Sequence, residues 1–160
     1  MFREMRRKKQ TLSIEECEEI LTKGSCGVLS LYGDDGYPYG VPISYVYDGS
    51  KLIFHSAKAG HKIDAIKRSP KASFCVIDQD HIVPEKYTTF FRSVIVFGSV
   101  RILEKEQEKR KAIETLAIKY APDDSADNRQ KMIQLEWNSF CMLEMSIEHI
   151  SGKQAKELVP

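Results

Sequence analysis

Between Ser13 and Gly24 the apolar residues Ile14, Cys17, Ile20 and Leu21 recur at helical spacing, and Ser13 with Glu16 forms a capping box. This pattern predicts a first helix, ended by Gly24. Beyond it the period drops to two. Cys26–Tyr32 alternates as a strand, and Asp34-Asp35-Gly36 supplies a hairpin turn. Tyr37–Tyr47 is the second strand, where Pro38 and Pro42 demand an edge or distorted position. Asp48-Gly49 turns the chain into a third strand, Lys51–Ser56. After Gly60, Ile63 and Ile66 mark a short amphipathic helix closed by Ser69-Pro70. Lys71–Asp78 alternates with Ala72, Phe74 and Val76 on one face, and Thr88–Leu103 is a long strand expected to bend near Gly98. Lys105–Tyr120 reads as a helix burying Ile113, Leu116 and Tyr120. Asp123–Asn128 reads as a loop, Arg129–Leu135 as a further helical turn and Phe140–Ile147 as the last strand. The pattern predicts a mainly β fold with flanking helices, in which six antiparallel strands form a small barrel.

Composition narrows this little but excludes much. A chain of 160 residues, 42% hydrophobic and 29% charged, suits a single domain over residues 1–160 and argues against disorder or coiled coil. With 24 Lys and Arg against 23 Asp and Glu, the net charge is +1, so nucleic acid is not an expected partner. Any anion must be caught locally. The basic start Met5-Arg6-Arg7-Lys8-Lys9 has no apolar stretch behind it, and the longest apolar run, Val94–Phe97, is too short for a bilayer. The expected compartment is the cytoplasm, without membrane association. Cysteines 17, 26, 75 and 141 show no C-x-x-C spacing, which argues against metal and thioredoxin-type sites, and Cys26 and Cys75 are expected as reduced core residues.

Two places carry candidate chemistry. His55-Ser56-Ala57-Lys58-Ala59-Gly60-His61-Lys62 runs from a strand end into a helix start. Cations in a first helical turn oppose the helix dipole, an arrangement that a bound phosphate makes favourable. The alternative is that His61 and Lys62 point into water. Arg92 interrupts an apolar strand and shares a face with Phe90, Val94 and Val96. Its guanidinium requires a carboxylate, carbonyl or phosphate partner, and an internal Asp or Glu is the plain alternative to a ligand. Trp137 reads as a packing residue. No metal-ligand spacing, Gly-x-Ser-x-Gly elbow or Gly-x-Gly-x-x-Gly fingerprint is present.

In order and spacing, several segments resemble the pyridoxamine 5′-phosphate oxidase-like split barrels, in particular the branch related to 5-nitroimidazole resistance proteins. They are Met5-Arg6-Arg7-Lys8, Gly40-Val41-Pro42-Ile43-Ser44-Tyr45, Phe54–Ala57 with Gly60-His61-Lys62, Arg92-Ser93-Val94 with Gly98, and His149–Lys153. The resemblance implies a six-stranded antiparallel split β-barrel that binds FMN. Ser56 and Lys62, with His55, Ala57, Gly60 and His61 nearby, would hold the phosphate. The backbone of Pro42, Ile43, Ser44 and Tyr45 would address the polar edge of the ring. Arg92, Ser93 and Lys153 would approach it at the interface of a homodimer. Departures count against oxidation of pyridoxamine phosphate: Ile150-Ser151-Gly152-Lys153-Gln154 stands where the oxidase has Trp-x-Gly and an arginine, and Arg92-Ser93 replaces its Arg-Gln pair.

Two functions follow from this resemblance. One is an FMN-dependent reductase of small electrophiles such as nitroimidazoles, with His55 or His61 as proton donor. The other is a flavin- or haem-binding storage or sensor protein without turnover.

Overall fold

In the computed structural model, which describes residues 1–160, the capping box forms in full. The Ser13 hydroxyl accepts from Glu16 N, and the Glu16 carboxylate accepts from Ser13 N at 2.8 Å. Helix α1, Ile14–Lys23, follows and buries Cys17, Ile20 and Leu21. Strands β1 (Cys26–Tyr32), β2 (Pro38–Tyr47) and β3 (Lys51–Ala57) lead to helix α2 (His61–Arg68). Strands β4 (Lys71–Val83) and β5 (Thr88–Ile102), helices α3 (Glu106–Tyr120) and α4 (Ala126–Glu136), and strand β6 (Phe140–Gln154) complete the chain. All strand pairs are antiparallel, and the order β1-β2-β3-β6-β5-β4 closes a barrel.

The six strands and the mainly β class agree with the pattern of the sequence. Three elements differ by more than one residue at a boundary. β4 runs to Val83 because, past an irregularity at Asp78, its polar Gln79–His81 stretch keeps pairing with β5 as far as Val83↔Thr88. β6 runs to Gln154 because the start of β5 supplies it with partners, ending at Arg92↔Gln154. Helix α4 takes in Ala126–Asn128, because the Ser125 hydroxyl accepts from Asn128 N at 3.1 Å and starts the helix early.

The barrel interior is one cluster that joins Leu29, Tyr45, Phe54, Phe74, Val94 and Leu143 with residues of α1 and α2. A second cluster outside the barrel packs Val46, Ile53, Phe140 and Met142 under Ala112 and Leu116 of α3. Alternation corrects the cysteine expectation. Gly27, Leu29 and Leu31 point inward, so Cys26 is exposed and Cys75 half-buried on the outer face, while Cys17 and Cys141 are the buried pair. All four are free thiols. Tyr120 is also less buried than its stripe predicts, at 45% exposure, because its hydroxyl reaches out to Ser25 O.

Candidate functional site

The barrel is closed unevenly. β2 pairs with β1 from Pro38 to Ser44 but with β3 only over Tyr45↔Phe54, Val46↔Ile53 and Tyr47↔Leu52. Tyr45 N–H points toward β1, at Ser25 O, whereas Asp48 N–H points to Lys51 O of β3. Main-chain groups alternate sides along a strand, so Pro38, Gly40 and Pro42 turn theirs to the side that β3 has left. Both prolines therefore sit where no ladder donor is needed, as their edge expectation required. This open edge is a line of backbone groups free to meet the polar rim of a ligand. By the same alternation Ile43 and Tyr45 turn their main chain toward β1, and both side chains are buried, the Tyr45 hydroxyl donating to Leu21 O at 2.7 Å. Of the stretch expected to meet the ring, only Pro42 and Ser44 therefore turn to the open side.

Opposite that edge, β3 ends in His55, Ser56 and Ala57. Ser56 is buried, and its hydroxyl and the Cys141 thiol both donate to Ala57 O, at 3.0 and 3.3 Å. Gly60 takes φ +121°, a conformation open to glycine, and caps α2 without any side-chain bond. The first-turn N–H groups of α2 thus lack a side-chain acceptor.

Lys62 in that turn is half-buried, and no carboxylate pairs with it. Desolvation holds its pKa below the usual lysine range. Lys109, from α3, shares this character. Its ammonium donates to Trp137 O at 2.5 Å and lies 4.2 Å from the ring centroids of both Trp137 and Phe140, and burial likewise lowers its pKa. The charges of Lys58, Lys62 and Lys109 all act on the Cys141 thiol, although burial dominates and pushes that thiol up. Neither Lys62 nor Lys109 is ion-paired, and partly desolvated cations of this kind are ones that a bound anion would stabilise. Lys109 and Cys141 are members that sequence reasoning missed, because only the packing of α3 and β6 brings them to residues some fifty to eighty positions earlier. Trp137 packs edge-on against Phe140, as a packing residue should.

The two histidines part company. His55 lies 5.1 Å from Phe140, ring to ring, and its pKa is lowered first by desolvation and then by the charge of Lys62, against a small opposing pull from Glu136. His61 stacks on Tyr39 at 4.0 Å, with Nε2 3.6 Å from an Asp34 carboxylate that Arg68 also holds at 2.6 Å. It belongs to the β1–β2 hairpin rather than to a pair with His55.

Arg92 has the plain partner. It shares the inward face with Val94 and Val96, where Nη2 meets Glu16 of α1 at 3.0 Å and Nη1 meets Asp78 at 3.6 Å. Ser93, by contrast, faces outward and pairs with the exposed Lys153, whose ammonium sits 5.2 Å from the Phe91 ring. Within one chain, Ser93 and Lys153 lie toward the far end of β6 from the Lys62 group. Arg92→Met is expected to cost about 1–2 kcal/mol of stability, since it strands two partly exposed carboxylates. Denaturant unfolding of the ligand-free protein checks this, and an unchanged midpoint would show that the ion pairs contribute nothing.

Comparison with known proteins identifies the family and the fold. A family model described as pyridoxamine 5′-phosphate oxidase matches residues 13–154. An uncharacterized Rhizobium meliloti protein is 35% identical over 69 residues, which are 43% of this chain and 44% of that protein, so the match spans less than half of the curated relative. A candidate 5-nitroimidazole antibiotic resistance protein from Bacteroides thetaiotaomicron superposes with a TM-score of 0.74 at 20% identity, over 90% of this chain and 86% of its own. A FAD-binding protein from Mesorhizobium loti gives 0.66 at 25% identity, over 92% and 96%. The FAD and heme binding protein of Mycobacterium smegmatis gives 0.74 at 19% identity, over 92% and 74%. Match and architecture extend over nearly the whole barrel, and on that ground the chain belongs to the pyridoxamine 5′-phosphate oxidase family.

Proposed function

We propose that this protein binds FMN in the split between β2 and β3 and reduces small electrophilic molecules, nitroimidazoles among them. The observation that carries the reading is the unpartnered, partly desolvated Lys62 beside an uncapped α2 and an open β2 edge. Lys62 and the first-turn N–H groups would take the phosphate, with Lys109 supplying further positive charge. Gly40 and Pro42 would present backbone to the ring's polar edge. FMN supplies electron transfer when bound. Desolvation and the charge of Lys62 lower the pKa of His55, and an anion beside Lys62 would offset that charge and leave His55 better able to serve as the proton donor. His61, already stacked on Tyr39, is left out of that role.

The reading includes a homodimer. Val28, Cys75 and Ile95 face outward in register across β1, β4 and β5, and Ile77 beside them is 65% exposed. A two-fold contact on this face would cover the row and bring Ser93 and Lys153 of one subunit to the other's flavin. The absorbance spectrum of the purified protein and identification of the released cofactor test the first claim, and light scattering tests the second. Expected are a flavin spectrum, FMN on release, a dimer at micromolar concentration, and turnover of a nitroimidazole by the reduced protein. FAD on release would correct the cofactor. Bound flavin without turnover would favour a storage or sensor role, and a stable flavin-loaded monomer would overturn the dimer.

A further inference from the structure

A cavity of about 610 Å³ opens where the N-terminal basic run meets the start of β5 and the end of β6. Its lining holds Arg6, Arg7, Lys8, Lys9 and Lys156 against a single carboxylate, Glu157. Lys8 pairs with Glu4 at 2.9 Å and Lys156 reaches Glu157 at 3.8 Å, while Arg6, Arg7 and Lys9 have no acid partner. Three free cations around one concavity repel each other, and an anion of matching charge converts the repulsion into binding. The arginine forks match phosphate oxygens, and the Thr88 and Thr89 hydroxyls add donors in the same lining.

Gln10 adds an unpartnered acceptor to this cationic lining. It lines the same cavity, is 5% exposed, and its Oε1 is buried with no hydrogen-bond partner. A buried carbonyl oxygen needs a donor, and a sugar hydroxyl or base amine beside the phosphates would supply one. Phe91 provides the aromatic wall against which a base can rest. The volume suits a nucleotide.

We propose that this cavity binds the diphosphate and sugar of a small nucleotide. Within one chain this cavity is separate from the proposed flavin-phosphate site: Lys62 belongs to α2, next to the end of β3 that pairs with the start of β6, and this cavity lies at the other end of β6.

Calorimetric titration of the full chain with ADP and with inorganic pyrophosphate tests it. ADP is expected to bind more tightly than pyrophosphate, and Arg6→Ala with Arg7→Ala to weaken ADP at least about tenfold. Both arginines are exposed, so the double variant keeps the fold, and falling ADP affinity with rising salt gives a check that needs no variant. Lys62→Ala is expected to leave ADP affinity unchanged even where it abolishes flavin binding. ADP affinity equal in wild type and double variant overturns the proposal. So does loss of ADP binding in Lys62→Ala alone, or binding confined to a polyanion such as duplex DNA.

Discussion

Lys62→Ala is expected to lower FMN affinity at least about tenfold, and Lys58→Ala to lower it less. A charge-assisted bond to phosphate contributes roughly 1.5–3 kcal/mol, which corresponds to a tenfold loss or more. Both lysines act on Cys141, so distance alone does not separate them. Solvation does. Lys62 is half-buried and already partly desolvated by the fold, whereas Lys58 is exposed and keeps its water. A phosphate therefore meets a less screened charge at Lys62. Ser56→Ala should follow in the same direction with a smaller loss, because the Ser56 hydroxyl is already engaged by Ala57 O. Fluorescence titration of flavin into the three variants measures the order. Equal retention in the two lysine variants would remove Lys62 from the phosphate site and the proposed function with it.

Gly98→Ala is expected to destabilise the barrel by about 3 kcal/mol or more, with or without ligand. A Cβ at Gly98 would stand 1.8 Å from Ser146 O and 3.0 Å from Ser146 C, both main-chain atoms of β6 that cannot swing aside. The crowding arises where the β5–β6 register shifts, from Phe97↔His149 to Gly98↔Ile147, so that Glu148 is the extra residue on β6. Gly40 is the internal control. Its nearest neighbour would be a Val28 methyl at 3.3 Å, so Gly40→Ala should change stability far less. For a chain of this length, 3 kcal/mol corresponds to a drop in Tm of roughly 6–12 °C. A Gly98→Ala protein that melts like wild type would mean that β6 relaxes freely at the bulge.

Flavin chemistry and the nucleotide cavity would divide the molecule between the ends of β6. The fifteen residues of β6 run from Phe140, next to the Cys141 thiol on which the lysine charges act, to Gln154, which precedes Ala155 in the lining of the basic cavity. A two-fold dimer would change that separation without moving either site, which is why light scattering bears on both proposals.

Local sequence determined those features that neighbouring residues decide among themselves. The Ser13–Glu16 box starts α1, the period-two runs make the strands, and Pro38 and Pro42 mark an open edge because a proline offers no ladder donor. Alternation likewise puts Arg92 on the face of Val94 and Val96, but it leaves the partner open. Tertiary structure chose that partner, by laying Glu16 of α1 and Asp78 of β4 against the guanidinium. It extended β4 and β6 through polar stretches, since strand ends are fixed by the partner's backbone rather than by their own residues. It also drew His61 away to Tyr39 and brought in Lys109 and Cys141, neither marked by any local pattern. Hydrophobic periodicity is a property of consecutive residues and survives in the sequence; desolvation and charge proximity depend on which distant segments pack together, and only the folded chain sets them.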